Sequence, residues 1–349
     1  MAGNGSTFDE MLGYKTWARD KLLAAAVDLS DEQLDRPFEM GCGSLRATLH
    51  HLWSAERIWL CRWTGRDRGE FSEQLSHPRP DVAAMGGWFR ATAEERNAYL
   101  AERRSAAALD SPISFVDRAG TPYTFPLRAL LLHVCNHGIH HRAQAMHMLR
   151  RLEVPLPRPG LDYLFMKIEQ AGAAPPALDL RTIRDLYEFA DWAREQVHDA
   201  AAGLSDDQLD RPFPIGMGSL RKNLVHVRDG EQWWLNNWKG DSGAPFPATD
   251  ETLSISDLRR SFDAVAAERN RQINVMSDAD LQRIVEGRPR PDVVRRFPIG
   301  VTMLQLCSHG THHRAQSLNM LRQLGAKPPP LDYVTMLNQP GRRGRRATQ

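Results

Sequence analysis

The sequence predicts an all-α protein made of two tandem four-helix bundles. Three observations predict it: an internal duplication, apolar residues recurring at helical spacing, and a near absence of alternating strand patterns. "LSDEQLDRPF" at 29–38 returns as "LSDDQLDRPF" at 204–213, differing only at Glu32 against Asp207. In the same register of 175 residues, "GCGSLRATLHHLWSAERIWLCRW" at 41–63 answers "GMGSLRKNLVHVRDGEQWWLNNW" at 216–238. "TFPLRALLLHVCNHGIHHRAQ" then pairs with "RFPIGVTMLQLCSHGTHHRAQ" at a register of 172, and "LDYLFM" at 161–166 with "LDYVTM" at 331–336 at 170. A unit of about 160 residues is an ordinary domain, so the chain reads as a tandem pair and not a solenoid. The expected layout is a first copy over 1–169, an Ala/Pro-rich linker over 170–180 and a second copy over 181–340. A basic, disordered tail is expected over 341–349.

Each copy supplies four helical stretches. In the first these are Phe8–Val27, Ser44–Trp63, a stretch near Val82–Arg104, and Pro126–Leu152; in the second they fall near 181–201, 219–238, 256–276 and 298–324. Ser30 or Asp31 begins a short turn after the first helix, and Gly41–Gly43 followed by Ser44 leads into the second. Pro126 and Pro298 suit the first turn of each last helix, and Pro155 and Pro328 follow its end. One short hairpin is expected in "PISFVDRAGTPYTF" at 112–125, around Ala119–Gly120.

A net charge of +2 argues against nucleic acid or an anionic membrane as partner. Cys42, Cys61, Cys135 and Cys307 form no CxxC pair and read as reduced core residues of a cytoplasmic protein. No run of about 18 apolar residues suggests a membrane span, and "MAGNGSTFDE" lacks the features of a signal peptide.

The chemistry concentrates in histidine. Six of the thirteen histidines lie in "NHGIHHRAQ" at 136–144 and "SHGTHHRAQ" at 308–316. Along the last helix the apolar seam runs Leu130, Val134, His137, His141, Met148, and in the second copy Leu306, His309, His313, Met320. Two imidazoles one turn apart thus occupy positions where a bundle wants Leu or Val. Unpartnered, each would cost a few kcal/mol, about 2 or more, in desolvated polar groups; a bound metal removes that cost. His51 and His226, aligned in the second helix beside Ala55 and Ile58 or Gly230 and Trp233, offer a third donor from a facing helix. Candidate ligand sets are therefore His51, His137, His141 and His226, His309, His313, each a facial three-histidine site with open positions. A single HxxxH pair is more often core polarity than a metal site; its repetition with an upstream histidine is what carries the reading. His140 and His312 fit hydrogen-bonding roles beside the ligands, and their i+3 spacing from the first ligand makes each an alternative to the i+4 histidine. The unrepeated "EQVH" at 195–198, the buried-type tryptophans and Cys135 and Cys307 read as packing.

"HLWSAERIWLCRW", led by His51, followed by "NHGIHHRAQ", and the same pair of words in the second half, resemble the DinB-like (DinB/YfiT-like) superfamily of metalloenzymes. The resemblance covers nearly the whole chain, once per half. It implies bundles of up-down-down-up connectivity and a divalent metal, zinc or nickel, on the six histidines named. It also implies pairing of copies, so the chain would be a monomer enclosing a pseudo-twofold internal dimer. The implied activities are transfer of a low-molecular-weight thiol, or hydrolysis, on a small electrophilic substrate, as in detoxification. The other reading is a non-catalytic metal-binding or stress-response protein with a structural metal. A sulfoxide-synthase branch is set aside, because Ala143 and Ala315 stand where it carries an acidic residue.

Overall fold

The computed structural model describes residues 6–117, 119–156, 160–241, 243, 245–248, 250–290 and 292–339. The fold is all-α, as the sequence predicts. The first copy contributes α1 (Thr7–Ala26), α2 (Leu45–Thr64), α3 (Val82–Ala101) and α4 (Leu127–Arg151), followed by the short α5 (Tyr163–Glu169). The second contributes α6 (Leu180–Ala201), α7 (Leu220–Trp238), α8 (Ile255–Val275), α9 (Ile299–Gln323) and the short α10 (Tyr333–Leu337). Residues 170–179, between α5 and α6, carry no helix. The expected tail at 341–349 lies outside the described residues.

Local chemistry sets the helix ends. Ser44 and Ser219 cap α2 and α7, each accepting from the backbone N–H three residues on, at 3.2 Å. α2 stops at Gly65, whose φ of 74° is the left-handed conformation that ends helices. The repeated "LSDxQLDRPF" word makes a capping box, Ser30 with Gln33 and Ser205 with Gln208, and one short helical turn. That turn aims two carboxylates at one buried guanidinium. Arg46 binds Asp31 and Asp35, and Arg221 binds Asp206 and Asp210 at 2.6 and 2.8 Å. The same arginines also donate to the carbonyls of Pro80 and Leu253, just before α3 and α8. The most strongly repeated word is therefore a fastening between helices and not a site.

The expected hairpin forms, pairing Pro112–Val116 with Pro122–Pro126. A second hairpin, Ile284–Arg290 with Val293–Pro298, stands at the equivalent place and was not expected. Its charges hid the period, yet they pair across the strands, Glu286 with Arg296 at 2.9 Å. Gly287 backs onto Trp233, where an added Cβ would lie 2.8 Å from a ring carbon. Each hairpin runs directly into the last helix of its copy, at Pro126 and Pro298.

The described residues form two compact units, one gathering residues 6–10 and 162–331, the other 11–161 and 332–339. In the first, α6, α7, α8 and α9 pack together and α5 lies on α9; in the second, α2 packs on α3 and α4, and α10 lies on α4. The units thus differ from the contiguous segments 1–169 and 181–340 that the repeated words mark. The "LDY" helices are the reason: α5 buries Tyr163 and Met166 within the unit of the second-copy helices, and α10 buries Tyr333 and Met336 within that of the first. Each such side chain, taken out of water, contributes about 1.5–3 kcal/mol to that placement. No helix among the described residues is long and apolar enough to cross a membrane.

Candidate metal centre

The two last helices and the second helix of each copy bring the predicted histidines together. In the first copy the His51 ring on α2 lies 5.0 Å from His137 and 4.5 Å from His141, and those two are 4.4 Å apart, centroid to centroid. In the second copy His226 on α7 lies 5.1 Å from His309 and 4.8 Å from His313, with 4.3 Å between the last two. The Nε2 atoms of His51 and His137 are 3.2 Å apart, and those of His226 and His309 are 3.1 Å apart. A tetrahedral ion bonded to nitrogens at about 2.0–2.1 Å spaces them about 3.3 Å apart, so these spacings suit one shared cation. Donor atoms of His226, His309 and His313 all lie within 4.8 Å of one another.

Partners on the far side of three of the rings fix which nitrogen is left for a cation. His141 Nδ1 donates to Gln144 Oε1 at 2.7 Å, His313 Nδ1 to Asn223 Oδ1 at 2.9 Å, and His309 Nδ1 to Asp162 Oδ2 at 3.0 Å. Each bond puts the proton on Nδ1 and leaves the Nε2 lone pair directed inward. His140 and His312 take the supporting role: their Nε2 atoms accept from Gln144 and Gln316 at 3.1 and 2.9 Å.

Four of the six rings are held neutral at neutral pH. Burial, and then the neighbouring histidines, hold His137 and His313 well below the usual imidazole range. His141 and His226 are lowered to about 4 for the same reasons. Burial alone would raise the Asp162 carboxyl, but the hydrogen bond from His309 outweighs it and holds the group well below the usual carboxylate range.

Sequence reasoning missed Asp162, Asn223 and Cys42. Asp162 is the N-cap of α5 yet makes no side-chain cap bond there; its carboxylate instead reaches His309, with Gln305 Nε2 a further donor at 3.3 Å. The repeated "LDY" was the available signal. Cys42, Gly41's neighbour in the turn before α2, has its sulfur within 4.8 Å of the donor atoms of His51 and His141. A cleft of about 260 Å³ in the same unit reaches this place, lined in part by Cys42, Arg46, His50, His51 and Ser54.

Other candidates resolve as structure. Glu56 is buried between Lys15 and Arg96, and Glu231 bonds Arg269 at 2.7 Å. Burial would raise the Glu56 carboxyl, but Lys15 and Arg96 hold it at about 2, so it serves as a counter-ion and not as a base. Arg142 donates to Tyr14 Oη and lies over its ring, and Arg314 lies 4.8 Å over Phe189, the aligned position. His198 of "EQVH" is buried beside Phe262. Burial pushes the Cys135 thiol up to about 12, as expected of a core cysteine.

These features define a class: a duplicated helical bundle with a cluster of three imidazoles in each copy. The chain belongs to the DinB family, whose profile matches residues 1–173 and again 179–343. It is also similar to Protein DinB of Bacillus subtilis (strain 168), with 22% identity over 153 residues, covering 42% of this chain and 89% of that protein.

Proposed function

We propose that the protein is a metal-dependent enzyme. It would use a three-histidine centre to activate water or a low-molecular-weight thiol for hydrolysis of, or transfer to, a small electrophile. The observation that supports this reading is the pairing of inward Nε2 atoms with Nδ1 protons held by Gln144, Asn223 and Asp162. His51, His137 and His141 would hold one divalent ion, zinc or nickel, and His226, His309 and His313 a second. Such an ion, on neutral ligands, keeps its positive charge and brings the pKa of a water or thiol toward neutrality. Gln144, Asp162 and Asn223 hold His141, His309 and His313 in the Nδ1-protonated form, and a three-ligand set leaves room for a reactant.

Metal content of untagged protein, measured by mass spectrometry, tests this. Two ions per chain are expected, falling to one in His137→Ala/His141→Ala and to one in His309→Ala/His313→Ala. No ion after reconstitution with zinc or nickel would overturn the reading. Metal removal that collapses thermal stability without any turnover of thiol and electrophile panels would favour the non-catalytic alternative.

A further inference from the structure

We infer that Cys42 is a fourth metal ligand, so that the two centres differ chemically: three histidines and a thiolate in the first, three histidines in the second. The inference rests on the metal reading above and extends it to the division of roles between the copies.

The Cys42 sulfur belongs to one donor cluster with His51 and His141, all within 4.8 Å of one another, while His51 Nε2 faces His137 Nε2 at 3.2 Å. The turn that presents the thiol is held in place. Phe38 N–H donates to Gly43 at 2.8 Å, Gly43 N–H to Met40 at 3.1 Å, and Cys42 N–H to Thr48 Oγ1 at 3.2 Å. Gly41 has φ 57°, and a Cβ there would lie 2.7 Å from Thr48 Oγ1 and 3.3 Å from Gln144 Oε1, the atom that holds His141. The turn is therefore packed onto the ligand-bearing helix with no room to spare.

The second copy is an internal control. Its turn has the same bonds, Phe213 to Gly218 at 2.8 Å and Gly218 to Ile215 at 3.1 Å, and Gly216 repeats the conformation with φ 58°. Pro214 and Ile215 replace Glu39 and Met40 without changing those bonds, and Met217 stands in Cys42's place, exposed to solvent. A thiolate in the first centre cancels one unit of the ion's charge and favours thiophilic ions, whereas the second keeps the full charge and an open position.

Cobalt(II) tests the assignment without reference to activity. Apoprotein reconstituted with cobalt should bind two ions and show a near-ultraviolet thiolate-to-cobalt charge-transfer band. In Cys42→Ser the band should vanish while the visible ligand-field bands and, at saturating cobalt, both ions remain. In His226→Ala/His309→Ala the band should persist with one ion bound. Two bound ions without the band in the parent protein, or a band that survives in Cys42→Ser, would overturn the proposal and leave the histidine centres standing. Failure of the parent to bind cobalt would instead overturn the metal reading itself.

Discussion

Replacing Asp162 should weaken metal binding at the second centre alone, and by an amount that grades with the substitution. The carboxylate accepts from His309 Nδ1 at 3.0 Å and from Gln305 at 3.3 Å, in a part-buried position. A hydrogen bond to a charged acceptor is worth about 1.5–3 kcal/mol, and a neutral one about 0.5–1.5. Asp162→Asn keeps a carbonyl oxygen for the Nδ1 proton but loses the charge, a difference of about 1 kcal/mol or roughly fivefold in Kd. Asp162→Ala removes the acceptor and frees the ring to turn, for which a loss of about 10–100-fold is the usual scale. Competition against a chromophoric chelator resolves the two centres, and the first centre supplies the reference because its histidines lie in the other compact unit. Unchanged affinity in Asp162→Ala would refute the orienting role. An equal loss at both centres would show that the substitution acts through general destabilisation.

Three further outcomes are expected. His198→Leu, which installs the residue found at the aligned position Leu23, should stabilise the protein by about 1–3 kcal/mol, since neither ring nitrogen of His198 has a partner among the described residues; a lower denaturant midpoint would contradict this. Glu56→Ala leaves Lys15 and Arg96 as buried cations and should cost about 3–5 kcal/mol while metal stoichiometry in the folded protein stays the same; loss of metal without loss of stability would restore Glu56 to the site. In the apoprotein, burial holds His141, His147, His198 and His226 at about 4, whereas the unfolded chain takes up those protons near pH 6.5. The unfolded state therefore binds more protons between those values, and stability must fall as pH drops through that window, by on the order of 1–3 kcal/mol per well-buried ring. A melting temperature that stays flat from neutral pH to about pH 4 would refute the burial assigned to these rings.

The helices and the six histidines were legible because each rests on spacing within one element. An i,i+4 pair such as His137 and His141 faces one way in any α-helix, and an apolar seam around it states which way. What escaped depends on which elements meet. Asn223 and Gln144 do the same work on His313 and His141, but one reaches across from α7 and the other sits three residues along α4. Nothing in the 175-residue alignment, which sets Asn223 against Thr48, announces that exchange. The second hairpin was hidden by charges whose pairing exists only once the strands are aligned, as for Glu286 and Arg296. Cys42 read as core, whereas the turn holds it exposed beside the histidines.

The exchange of the short helices gives the duplication a physical consequence. Asp162 follows the last helix of the first copy in sequence, yet it orients a histidine of the second copy within one compact unit. A second copy beginning at α6 would contain all three of its histidines and lack the group that fixes one of them. The covalent chain supplies that group: only residues 170–179 separate α5 from α6, so Asp162 is delivered to His309 at the high effective concentration of a short tether. A solitary copy would have to obtain the same carboxylate from its own tail or from another molecule, at the cost of association. Fusion thus does more than double the number of histidine clusters; it makes the orientation of one cluster independent of protein concentration.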